Sequence, residues 1–112
     1  MKKLISLAAI ALVLSVVGNA SAQGLPRYDP KGHCKEVASF GGEYSAMLDK
    51  SCLKIEQSAY NGLKAGWEDY PQSAKRHCNQ VATFGGRGSY QLLQSCIDME
   101  IEAAKSTPDF EF

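Results

Sequence analysis

The chain lacks most of what would mark an enzyme, a metalloprotein or a nucleic-acid binder. It has no C-x2-C pair, no phosphate-cradling glycine loop after a strand and no Ser–His–Asp pattern. No run of lysine or arginine exceeds Lys75-Arg76 outside the extreme N-terminus, which argues against a basic stripe for nucleic acid or an anionic membrane. Tryptophan occurs once and aromatics make up 9% of the chain, so few positions can supply aromatic anchors. No segment alternates apolar and polar residues as a half-buried strand would. The one long apolar run, Leu4–Val17, is shorter than the roughly 18 residues a membrane span requires.

That run is instead the middle of a secretory signal. Lys2 and Lys3 precede it, and Ala20-Ser21-Ala22 supplies a cleavage site, so residues 1–22 are expected to be removed. The mature chain, 23–112, then has 112 − 22 = 90 residues. It carries 10 basic and 12 acidic side chains, a net charge of −2. Export to the periplasm or the extracellular space follows, with no membrane insertion after cleavage. Ninety residues make one small domain, in a size range where a single core is barely sufficient.

A duplication organises this domain. His33-Cys34-Lys35-Glu36-Val37-Ala38-Ser39-Phe40-Gly41-Gly42 returns 44 residues later as His77-Cys78-Asn79-Gln80-Val81-Ala82-Thr83-Phe84-Gly85-Gly86. Aligned over 33–60 and 77–104, 13 of 28 positions are identical. The repeats span about 29–61 and 70–105.

Each repeat holds two cysteines, with 52 − 34 = 18 and 96 − 78 = 18. An even count in a short exported chain reads as a disulfide framework. A duplicated unit keeps its bond within itself, giving Cys34–Cys52 and Cys78–Cys96. The C-x9-C motifs of coiled-coil–helix–coiled-coil–helix proteins are absent, because each helix carries one cysteine. Nothing of that family transfers.

Within a repeat, Cys34, Val37, Ala38 and Gly41 recur at helical spacing, as do Leu48, Cys52, Ile55 and Ala59. Their copies are Cys78, Val81, Ala82, Gly85 and Leu92, Cys96, Met99, Ala103. Gly-Gly ends the first helix, and Ser45 or Ser89 caps the second. Facing residues in such a hairpin sum to a constant. Cys34 and Cys52 sum to 86, so the midpoint is Glu43, the centre of the turn. Cys78 and Cys96 sum to 174, with midpoint Arg87. The same sums set Ala38 against Leu48 and Ala82 against Leu92 across the seam.

The expected fold is all-α: two tandem disulfide-stapled helical hairpins forming a small four-helix domain. Helices are expected at about 30–40, 45–60, 71–84 and 89–105, with a loose leader at 23–28. Asn61-Gly62 reads as a helix stop, with 62–70 joining the repeats.

Function is less legible. The fold and the missing motifs favour a non-enzymatic binding or interaction module with a protein partner, and no cofactor or metal. The alternatives are a stress-protective or chaperone-like protein, or an enzyme or metal site using the His and Cys positions. Trp67, Tyr70, Phe110 and Phe112 lie on connectors and tail and are the candidate interaction surface. Trp67 has a second reading, as a cover over the core where the hairpins meet. His33 with Glu56, and His77 with Glu100, read as half-exposed clasps across each open hairpin end. Glu56 faces 86 − 56 = 30, the first turn of the first helix. Glu100 faces 174 − 100 = 74, which makes Lys75 or Arg76 its expected partner.

Overall fold

The computed structural model describes residues 24–112, and the expected signal segment 1–22 lies outside the described residues. Four α-helices follow: α1 (Pro30–Ala38), α2 (Ala46–Gly66), α3 (Gln72–Thr83) and α4 (Tyr90–Ser106). A single 3-10 turn, Trp67–Asp69, follows α2 directly. Among the described residues there is no strand, and no helix is long and apolar enough to cross a membrane. Disulfides Cys34–Cys52 and Cys78–Cys96 staple α1 to α2 and α3 to α4, each with Cα atoms 5.5 Å apart.

The turns follow local chemistry. Gly41, Gly42, Gly85 and Gly86 all have positive φ, where side chains are strained. Ser45 and Ser89 accept from the backbone N–H groups of Leu48 and Leu92. Their own N–H groups donate to the Ala38 and Ala82 carbonyls, closing the two turns alike. Asp29 caps α1 by accepting from the Gly32 N–H.

Three expectations need correction. First, α2 does not stop at Asn61-Gly62; it continues to Gly66. Gly62 is helical, with the end of the Gln94 side chain of α4 lying over it. Leu63 and Trp67, assigned to a connector, are buried in the core. Second, the seams are not filled by Leu48 and Leu92, which are exposed together with Val37, Val81, Ile55 and Met99. Helix axes usually lie 8–10 Å apart. Hairpin helices whose cysteine Cα atoms approach to 5.5 Å leave room only for small residues, here Ala38 and Ala82. The larger side chains turn outward. Third, the leader is docked. Leu25 and Tyr28 pack against the core, and the Tyr28 hydroxyl donates to Asn79 Oδ1 at 2.6 Å.

The hairpins meet along α2 and α4, with α1 and α3 on the outer sides. Tyr60 packs edge-on against Tyr90, and Gly62 lies against Gln94. Residue numbers rise together on both helices, so α2 and α4 run parallel. α4 begins level with Glu56, ten residues into α2. At 1.5 Å per residue, hairpin 2 is set back by about 15 Å. The core is correspondingly lopsided. It joins Ala59, Leu63 and Trp67 to Cys78, Leu93, Cys96 and Ile97, while α1 and the first half of α2 add little beyond Cys34 and Ala38.

Candidate functional site

The joint between the hairpins is the most constrained polar site. Glu56 projects from mid-α2 towards the first turn of α4 and is only 2% exposed. Its Oε1 accepts from the Ser89 hydroxyl at 2.7 Å, and its Oε2 accepts from the Tyr90 N–H at 2.6 Å. The Gln91 N–H adds a longer contact of 3.4 Å. A carboxylate here satisfies unpaired helix donors and sits at the positive end of the α4 dipole. The helix end that Glu56 serves is therefore that of α4, not that of α1. His33 Nε2 lies 3.9 Å from Glu56 Oε1.

The matching pair in hairpin 2 differs. His77 Nε2 lies 3.7 Å from Glu100 Oε1, and both side chains are about half exposed. Among the described residues Glu100 meets no helix N-terminus. Neither cation expected beside it is its partner; Lys75 is buried with its Nζ 5.3 Å from the Trp67 ring centroid.

The leader completes the joint. The Tyr28 N–H donates to the Tyr90 hydroxyl, which donates to the Pro26 carbonyl. The two rings lie 4.7 Å apart. Arg87, at the centre of turn 2, reaches back to Asp29 and Glu36 of hairpin 1. The Gly32 N–H, and then the Arg87 guanidinium, hold the Asp29 carboxyl below its ordinary value. Burial, with Tyr90 and Glu56 nearby, pushes the Tyr28 hydroxyl up to about 12. A phenol that the fold keeps protonated contributes stability that is complete below its ordinary value of 10.0. That contribution is lost as pH rises through about 12. Absorbance titration should show a late-ionising phenol whose ionisation coincides with release of the leader, and Tyr28→Phe should remove that step. Ionisation of every tyrosine near pH 10 with the leader still docked would contradict this assignment.

The cleft beside the leader holds about 660 Å³ and is lined by Tyr28, Glu56, Tyr60 and Tyr90 among others. Glu56, Tyr28 and Tyr90 are already engaged with protein donors and acceptors. All four cysteines are bonded, which removes them as thiol nucleophiles. Among the described residues no cluster of three His, Cys, Asp or Glu side chains is placed to hold a metal.

The four aromatics of the candidate surface separate into two pairs. Trp67 is buried, and Tyr70 packs edge-on against it at 6.1 Å. Phe110 and Phe112 are exposed and meet edge to face. Phe40 and Phe84, which the sequence reading passed over, are 93% and 92% exposed at the two hairpin tips. Their signal was the repeat itself, which keeps phenylalanine immediately before each Gly-Gly. Val37, Leu48 and Ile55 of the first hairpin, and their copies Val81, Leu92 and Met99, are exposed too.

Compared with protein-family models, curated proteins and solved structures, the chain matches none.

Proposed function

We propose that the chain is a non-enzymatic interaction module that binds a protein partner through the apolar faces of its two hairpins. One observation carries this reading: the same apolar positions, Phe40 and Phe84 foremost among them, are exposed in both repeats. Scattered apolar residues on a surface need no explanation, but the same exposed apolar positions kept in both repeats do. The partner presents a matching apolar face, and the doubled site lets two weak contacts act together. Residues 1–22 direct export to the periplasm or beyond, where the two disulfides persist.

A stress-protective, chaperone-like role would use the same exposed faces on many unfolded clients. Affinity capture from the exported fraction, with Phe40→Ser/Phe84→Ser as control, distinguishes the readings. The double variant should bind a discrete partner about 30-fold more weakly, as expected when hot-spot anchors are lost. Its thermal melt should not move. Equal capture by both forms would refute the proposal, and loss of many heterogeneous clients would favour the chaperone-like role.

A further inference from the structure

The hairpins meet through one kind of joint. The C-terminal half of α2, from Glu56 to Leu63, receives the N-terminal end of α4, from Ser89 to Ile97. The 44-residue shift gives each half a counterpart. The receiving half corresponds to Glu100–Thr107 on α4, exposed apart from the half-buried Ile101. The inserted end corresponds to Ser45–Leu53, along a groove on α2 lined by Ala46, Asp49 and Leu53 among others. The chain thus carries an unfilled socket on one hairpin and an unused plug on the other.

We infer that a second copy of this chain docks its Ser45–Leu53 end onto Glu100–Thr107 of the first, repeating the internal joint head to tail. The polar centre of the joint is present on both surfaces. Glu100 repeats Glu56, and Ser45 repeats Ser89 as the cap of its helix. In the docked pair, Glu100 accepts from the second copy's Ser45 hydroxyl and Ala46 N–H, as Glu56 does from Ser89 and Tyr90.

Two of the differences from the internal joint fall in matched pairs. Tyr60 and Tyr90, in contact internally, become Ala104 and Ala46, small against small. Arg87 lies against Gly32 and pairs with Asp29 and Glu36. Its counterpart is Glu43, and that of Gly32 is Arg76, so opposite charges face again. Leu63 and Leu93 share the internal core; their counterparts are Thr107 and Asp49. Asp49 is 8% exposed and its Oδ1 has no hydrogen-bond partner. Asp49 Oδ2 accepts from the Tyr44 hydroxyl, and the Thr107 hydroxyl donates to the Ala103 carbonyl, so this pair supplies no new bond to the joint. The joint is more polar than the internal one, and association through it is correspondingly weak.

A head-to-tail joint uses different surfaces on the two copies and leaves an end open at each step. Sedimentation velocity of the oxidised protein should therefore show a reversible, concentration-dependent series of dimer, trimer and longer species. Glu100→Lys should weaken the association about tenfold or more, since a charge-assisted capping contact becomes a repulsion. Glu43→Arg should also weaken it, and adding Arg76→Glu should restore it to within about threefold. These positions are exposed, and unchanged circular dichroism spectra will confirm that the variants fold. A monomer up to about 1 mM, or a dimer that grows no further, overturns the inference. So does association that ignores Glu100→Lys and disappears in Phe40→Ser/Phe84→Ser, which would assign self-contact to the apolar faces instead.

Discussion

Glu56→Ala should destabilise the protein by about 3 to 5 kcal/mol, the range for breaking a buried charged network. Glu100→Ala should cost about 0 to 1 kcal/mol, as for an exposed ion pair. Sequence cannot separate these two glutamates, because they occupy the same position of the repeat. The structure separates them by burial and by partners. Removing the Glu56 carboxylate strands the Ser89 hydroxyl and the Tyr90 N–H in a site that water does not reach. It also removes the anion from the α4 dipole. Glu56→Gln keeps the shape and one acceptor but turns an amide N–H2 towards a donor, so its cost should fall between the two. Urea unfolding of the three variants measures these differences, and hydrogen exchange at the Tyr90 amide locates them. If Glu56→Ala and Glu100→Ala cost the same, Glu56 does not hold the joint.

What could be read in advance divides along one line. Features local to a repeat were legible. The 18-residue cysteine spacing, the mirrored turn midpoints and the serine caps gave the hairpins and their bonds. Contacts between repeats were not. Glu56 was assigned within its own hairpin because the sum rule sees only facing residues of one hairpin. Its partners on α4 lie 33 and 34 residues away. Gly62 carries a helix-stop signal, yet α2 runs through it and on to Gly66, with the Gln94 side chain of α4 lying over it. The Leu48–Ile55 stripe misled for another reason. It has helical period and is kept, with Met99 for Ile55, in both copies, which usually marks a core. The tight seam had no room for it. Asp49, where the other repeat has the core residue Leu93, was the one visible hint that the repeats have different neighbours.

The two disulfides should differ in what their loss undoes, although their closed loops are equal. In the chain-entropy picture each is worth about 3 kcal/mol for a loop of this length. Cys34→Ala/Cys52→Ala opens hairpin 1, where few other side chains are buried and the Arg87 bridges to Asp29 and Glu36 are exposed. Exposed bridges of this kind contribute little. The α1 amides should lose exchange protection, while Trp67, buried with Leu63 and Leu93 in the main core, keeps its blue-shifted emission. Cys78→Ala/Cys96→Ala removes two members of that core as well as the crosslink. Helicity and Trp67 burial should then be lost in one transition at lower denaturant. Following both variants by far-ultraviolet circular dichroism and by Trp67 fluorescence tests the difference. The two probes should separate in the first variant and coincide in the second. Coincident transitions in Cys34→Ala/Cys52→Ala would show that hairpin 1 and the core form one cooperative unit, and the lopsided core would not be the reason for the domain's stability.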